Sequence, residues 1–274
     1  MNKTIASFII AASALFFTNI IGSEQENLTG KQIFDEILNR HEISYASEKQ
    51  TMTLIDSNGN EENRKVHYYL RTDDDGGKKS LIIFENPSGI RGVALLNWSN
   101  KDKEDRQWIY LPAYGNKMKR IAKGGKRNYF MGTNFAYEDL SFPNKDNYQH
   151  KRLEDENIDG KDYFVVEISP NNDTEKKESG YSLQRYWIEK ERFIITQISF
   201  FNRRGKFFKK EILSDFKNIS GNMWLPSSLL MENIKEKHST VLKVLSRGLS
   251  EESVPESYFQ QRFIISGKYL RTGP

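Results

Sequence analysis

The chain has 274 residues, with 41 Lys+Arg against 37 Asp+Glu for a formal charge of +4, and it is 37% hydrophobic and 12% aromatic. That length supports one large domain or two small ones with a real core, and the 17 Phe and 13 Tyr speak against wholesale disorder. A mean hydropathy of −0.70 excludes a polytopic membrane protein. With no cysteine there is no disulfide framework, thiolate metal site, Cys nucleophile or N-terminal lipid-modified Cys.

The N-terminus reads as an export signal. Lys3 gives a positive start, Ile5 to Ile21 is mostly apolar, and Gly22-Ser23 are small residues before Glu24. Residues 1–23 are thus expected to be a cleaved signal peptide, with an uncleaved anchor as the alternative, weakened by Thr18 and Asn19. The mature chain is expected to be soluble outside the cytoplasm, compatible with a periplasm. Residues 24–274 show no linker or fixed-period repeat and read as one domain.

Leu28 to Arg40 predicts a helix: Thr29 can cap it, and Ile33, Phe34, Ile37 and Leu38 share one face. From Met52 and Leu54 the period becomes two, Asn58-Gly59 signals a two-residue hairpin, and Val66, Tyr68 and Leu70 share one face of the return strand. Asp73 to Gly77 reads as a turn. Strands follow at 81–84, 93–98, 108–111, 163–168, 183–188, 193–201, 207–213, 229–231 and 241–245, with turns at Asp159-Gly160, Arg204-Gly205 and Ser220-Gly221. About a dozen strands without a βαβ rhythm predict an antiparallel meander. Thr133 to Phe142 breaks the pattern as a short helix or loop. Near the end, Ser253 caps an expected helix with Pro255 in its first turn and Tyr258, Phe259 and Phe263 at helical spacing. A large curved sheet using such helices to fill or lid its concave face is the architecture these elements suggest.

No motif announces catalysis. His41, His67, His150 and His238 are scattered, and His41-Glu42 lacks the second His of a zinc-protease helix. There is no nucleophile elbow and no phosphate-binding glycine loop. Asp73–Asp75 lacks the Gly and Glu of a calcium loop, since Lys78 and Phe84 stand at those positions. Glu138-Asp139 would diverge to opposite faces in a strand, which argues against an acid–base pair. We therefore expect no enzyme and no cofactor or metal. Lys117, Lys119, Arg120, Lys123, Lys126 and Arg127 form a basic segment followed by Tyr129 and Phe130. Export argues against nucleic acid as its partner, leaving anionic headgroups, an acidic partner, or a solvated strand and loop. An apolar cavity for acyl chains needs no motif, because each buried methylene contributes about 0.8 kcal/mol without directional chemistry. Candidate lining residues are Leu95, Trp98, Trp108, Tyr110, Phe135, Tyr137, Trp187 and Trp224, each also compatible with plain core.

At Trp108–Ala113 (WIYLPA), Arg120 and Gly132–Leu140 (GTNFAYEDL), the chain resembles the outer-membrane lipoprotein-sorting proteins, relatives of LolA/LolB-like periplasmic carriers. Met223–Pro226, Leu230–Asn233 and Val254–Phe263 extend the resemblance over most of the mature chain. Asn134 stands where the family pattern favours Asp. The resemblance implies a mainly β fold, an unclosed (half) antiparallel β-barrel wrapped over one or two amphipathic helices. It also implies non-catalytic carriage of a lipid or lipoprotein acyl group, with an inner-membrane exporter or outer-membrane acceptor as partners. A non-catalytic accessory subunit of an envelope complex, docking through 117–127, is the alternative. A hydrolase whose residues converge only in space is a third reading.

Overall fold

The structure is a computed structural model describing residues 27–99, 105–142 and 144–270. Residues 1–23, expected to form an export signal, lie outside the described residues. Helix α1 (Gly30–His41) begins at the expected cap: the Thr29 hydroxyl accepts from Gln32 N, and the Gln32 side chain accepts from Thr29 N in return. No helix among the described residues is long and apolar enough to cross a membrane.

Strands β1 (Tyr45–Ile55), β2 (Glu61–Thr72), β3 (Lys78–Asn86), β4 (Ala94–Ser99), β5 (Arg106–Tyr110) and β6 (Met118–Arg120) form a consecutive meander. After an irregular stretch come β7 (Tyr148–Arg152), β8 (Glu156–Ile158), β9 (Lys161–Pro170), helix α2 (Asp173–Glu178), β10 (Tyr181–Glu189), β11 (Ile194–Asn202) and β12 (Phe207–Ser214). A small hairpin, β13 (Lys217–Ser220) and β14 (Met223–Leu225), precedes β15 (Ser228–Asn233) and β16 (His238–Gly248). The antiparallel pairing of β16 with β1 joins the two halves into a 14-stranded sheet running from β6 to β7, with β8 beside β9. The sheet does not close, as a half-barrel requires.

Alternation along the strands fixes two faces. The inner face of the first half carries Met52, Leu54, Val66, Ile82, Phe84, Leu95 and Ile109. Across β9–β11 the same face carries Phe164, Val166, Ile168 and Ile188, covered by Ile33 and Ile37 of α1. Gly30 makes this close seat, since a Cβ there would meet Val166 Cγ1 at 3.0 Å and the Arg152 nitrogen at 3.2 Å.

The predicted C-terminal helix differs from expectation. It is broken into short 3-10 turns at 251–253, 256–259 and 268–270 around helix α3 (Gln261–Ile265). Pro255 accounts for the first break, having no N–H to donate and disfavouring helical backbone before it. This segment covers the outer face, where Val254, Phe259 and Ile264 meet Leu81, Ile83, Leu96 and Trp108. Among the described α-helices, α1 is the one whose apolar face packs on the inner face of the sheet. The Asn58-Gly59 hairpin also has a longer loop than predicted: Asp56 N donates to Asn60 O at 3.0 Å, and Gly59 takes φ +84°.

Residues 128–142 form a crossing loop over the inner face. A tight turn brings Phe130 N to Phe135 O at 2.8 Å, with Gly132 at φ +75°. Phe130 stacks on Phe84 of the first half, at 5.4 Å between ring centroids, while Phe135 packs with Phe200 and Met231 of the second. Asn134 pins the tip. Its backbone N–H donates to Thr240 Oγ1 at 3.0 Å, and its amide Nδ2 donates to the carbonyls of Met231 (3.2 Å) and His238 (2.7 Å). An aspartate there would aim a carboxylate at two carbonyl oxygens. Asn134→Asp is therefore expected to cost about 2 kcal/mol or more, read as a lowered urea midpoint with an unchanged slope.

Candidate functional site

A cavity of about 470 Å³ opens between α1, the end of the crossing loop and the inner face of β9–β12. Phe34, Ile37 and Leu38 of α1 form one wall, Phe142 the rim, and Tyr186, Ile195, Ile198 and Phe200 the sheet wall. The cavity exists because one short helix cannot cover so wide a sheet. α1 seals β9, while Phe34 meets Tyr186 edge-on at 5.0 Å and leaves Leu38 38% exposed at the mouth.

The deep end is acidic. Register places Glu211 beside Ile198, which lies beside Tyr186, so these three face the cavity as one row across β12, β11 and β10. The Glu211 side chain makes no hydrogen bond or ion pair among the described residues. Burial, and then the charge of Asp139, push its carboxyl up to about 7. Glu138 is raised to about 7 by the same two causes in the same order, although Ser179 Oγ and Gly180 N donate to it at 2.8 Å each.

Asp139 has the opposite surroundings. Its Oδ2 accepts from the fully buried Lys209 ammonium at 2.6 Å and from Ala136 N at 2.7 Å, and its Oδ1 accepts from Tyr181 OH at 2.8 Å. Lys209 Nζ also donates to the Tyr181 oxygen and lies 4.5 Å from the centroid of the Phe200 ring. Tyr181 is held far above the ordinary phenol range by burial and by the Asp139 charge. The expected divergence of Glu138 and Asp139 is thereby corrected. The pair lies on a 3-10 turn (Tyr137–Leu140), where the strand rule does not operate, and both carboxylates turn inward to fasten the loop. Among the described residues no cluster of three or more His, Asp or Glu side chains is placed to hold a metal ion.

None of the eight residues predicted as cavity lining stands in this wall. Leu95 is fully buried in the core beside Phe84. Trp98, Trp108 and Tyr110 face outward under the C-terminal segment, with Trp98 Nε1 donating to Phe259 O at 3.0 Å. Phe135 and Tyr137 serve the crossing loop, Tyr137 lying against Phe130. Trp187 faces away from its neighbour Tyr186, its Nε1 donating to Glu156 at 3.0 Å. Trp224 lies in the separate hairpin under the Arg192 guanidinium. The physical reason is parity: alternation identifies two faces, and here both faces are covered by apolar packing.

The basic segment divides. Lys117, Lys119 and Arg120 are exposed near the edge strand β6, with Lys119 Nζ 5.2 Å from the Tyr114 ring. Lys123 and Lys126 approach Glu178 of α2 at 3.1 and 3.9 Å, and Lys126 also lines the cavity. Arg127 faces a second cavity. Sequence reasoning missed Lys209, Glu211 and Tyr181. In 207–213 the two alternating sets, Phe-Lys-Glu-Leu and Phe-Lys-Ile, look alike, so the inward Lys209 and Glu211 carry no distinguishing signal.

The sheet, single inner helix and crossing loop define a LolA-like half-barrel. A family model carrying the description "uncharacterized protein" matches residues 76–266, and the chain belongs to that family, whose fold here is that of the LolA-like outer-membrane lipoprotein-sorting proteins. The chain is similar to a domain described as an outer membrane lipoprotein-sorting protein domain from Vibrio parahaemolyticus, with 28% identity over 86% of this chain and 98% of that one, at a TM-score of 0.79. It is also similar to a DUF1329 family protein from Desulfovibrio piger (23% identity, 86% and 97% covered, TM-score 0.78). A LolA superfamily protein from Nitrosomonas europaea (19% identity, 86% and 99% covered, TM-score 0.67) shares the fold. No curated protein matches the chain.

Two predictions follow from the electrostatics. Lys209→Met leaves Asp139 buried without its cation, at an expected cost of about 3–5 kcal/mol, and adding Asp139→Asn recovers part of it; urea unfolding of the two variants checks this. For Glu138 and Glu211, the reference value is 4.5 and the folded value about 7. Between those values the native state keeps protons that the unfolded chain has released, so their contribution to stability falls as pH rises through the window, by about 3 kcal/mol each. His41 and His67, lowered by burial, act in the opposite sense near the same range. The diagnostic is thus the difference between wild type and Glu211→Gln: near zero at pH 4.5, growing in the variant's favour by pH 8 in paired thermal melts.

Proposed function

We propose that the chain is a periplasmic carrier that holds an acyl chain of a lipid or lipoprotein in the cavity between α1 and the sheet and moves it toward the outer membrane, without catalysis. The observation that carries this reading is the cavity itself. Its volume of about 470 Å³ lies within the range of roughly 300–1,000 Å³ usual for small-molecule sites, and aliphatic and aromatic side chains of α1 and the sheet (Phe34, Ile37, Leu38, Ile195, Ile198 and Phe200) line it beside polar and charged groups. The LolA-like fold supports the same reading, as does the similarity to a domain described as lipoprotein-sorting. An export signal over 1–23, a single carrier domain over 24–274 and partners in either membrane belong to this proposal. The cavity, and not the eight residues anticipated from sequence, is the proposed contact surface.

The acidic deep end gives the proposal a polarity. An acyl chain gains no apolar contact beside a carboxyl group, so its methyl end is expected among Phe34, Ile37 and Ile195, away from Glu211.

Purification without detergent, followed by native mass spectrometry and lipid extraction, is expected to show a stoichiometric acylated adduct; a clean apo mass that also refuses offered phospholipid and lipopeptide overturns the reading. At the mouth, Leu38 is exposed enough to accept a charge without loss of fold. Leu38→Asp is expected to weaken binding of a fluorescent fatty acid about tenfold or more, the equivalent of losing one buried leucine contact, with an unchanged circular dichroism spectrum.

A further inference from the structure

On the other side of Glu138 lies a second cavity of about 400 Å³, lined by Arg127, Arg203, Arg204, Tyr129 and Phe208. Arg203 and Arg204 sit on the β11–β12 turn, which Asn202 holds rigid. Asn202 N donates to Lys206 O at 2.9 Å, and the Asn202 side-chain oxygen accepts from Arg204 N (2.9 Å) and Lys206 N (3.2 Å). Arg127 arrives from the opposite side with its stem over Gly180, and its Nε leans on the Gly124 carbonyl at 3.4 Å.

Surface arginines usually find a carboxylate. Among the described residues none of these three does, whereas Lys123 and Lys126, a few residues earlier, share Glu178. The one carboxylate in the wall, Glu138, is already turned onto Ser179 Oγ and Gly180 N. Three arginine side chains therefore line one hollow with a surplus of donors and positive charge. Each presents a planar fork of N–H donors that matches a tetrahedral oxyanion two oxygens at a time. Together they offer more donors than a single carboxylate can accept, which favours phosphate.

We propose that the Arg127–Arg203–Arg204 cavity binds a phosphate group, the headgroup of an amphiphile whose chain enters the neighbouring apolar cavity. The position of the chain rests on the carrier reading above; the phosphate site does not. The two cavities share Glu138 in their walls, so a headgroup in one lies beside the deep end of the other.

The test measures three probes by calorimetry against wild type and Arg203→Ala/Arg204→Ala. The probes are monomeric dihexanoyl phosphatidylglycerol, glycerol 3-phosphate and a fluorescent fatty acid without phosphate. Both arginines are exposed on a turn, so the variant is expected to fold, which its circular dichroism and melting curve verify. Wild type is expected to bind the phospholipid, the variant to bind it about tenfold or more weakly, and raised salt to weaken only the wild type strongly. Fatty-acid binding is expected to fall less in the variant than phospholipid binding does, since a carboxylate accepts fewer of these donors than a phosphate. Glycerol 3-phosphate binding as tightly as the phospholipid, with the same loss in the variant, supports the oxyanion site and makes a soluble phosphate its source. Equal phospholipid affinity in wild type and variant, or no binding of either phosphate probe, overturns the proposal. Absence of fatty-acid binding in both proteins, with phosphate-probe binding lost only in the variant, counts against the carrier reading and leaves the phosphate site standing.

Discussion

A lysine ammonium with no exposed surface sits at the centre of this molecule, and the inner face is organised around its neutralisation. Lys209 on β12 reaches across to Asp139 in the crossing loop, and Tyr181 on β10 donates to the same carboxylate. Taking both charges out of water costs several kcal/mol per ion, so the arrangement persists only with every remaining acceptor occupied. Here the occupancy is high: the Ala136 N–H caps the Asp139 oxygen, the Asn134 carbonyl faces Lys209 at 3.4 Å, and the Phe200 ring lies against the ammonium. The pair is best understood as specifying where the loop goes. Apolar residues of similar volume would bury as well, but they would not select one position of the loop over its neighbours.

From that fixed point the two halves of the sheet are tied together on their inner side. Phe130 enters the core of the first meander, Phe135 that of the second, and Gln107 and Asn97 reach from β5 and β4 to the carbonyls of Tyr137 and Leu140. The loop stops at Phe142, short of α1, and the gap between them is the cavity. A sheet of this width twists too strongly to lie flat, and one helix of 12 residues covers only part of it. The unfilled remainder is then a consequence of element sizes. Its carboxyl floor is a consequence of the same loop, since Asp139 helps keep Glu211 from ionising.

The sequence made the architecture readable because its signals were local. The Thr29 cap, the Ile33/Ile37 stripe, the Asp73–Gly77 and Asp159-Gly160 turns and the alternation along β1 and β2 depend on near neighbours and appear where anticipated. The site was not readable, because its residues meet only through long-range register: Asp139 and Lys209 are 70 positions apart. The tryptophans are the largest apolar groups, yet size does not say which face a strand residue serves, and all four lie beneath other packing or against a charged partner. The GTNFAYEDL stretch was recognised by likeness without a physical reason. Its reason is now visible in Asn134, Glu138 and Asp139, each of which spends its side chain on holding the loop.

The central claim is that the space between α1, Phe142 and the sheet is a ligand site and not a gap in packing. The chain contains no cysteine, so Ile195→Cys introduces a single thiol in the cavity wall. The most direct measurement is its rate of alkylation by a small maleimide, in the lipid-free protein and again with saturating acyl ligand. The account predicts ready modification of the free protein and at least tenfold protection by the ligand, with the protection lost in competition with excess fatty acid-binding albumin. A thiol modified at the same rate with and without bound ligand would contradict it.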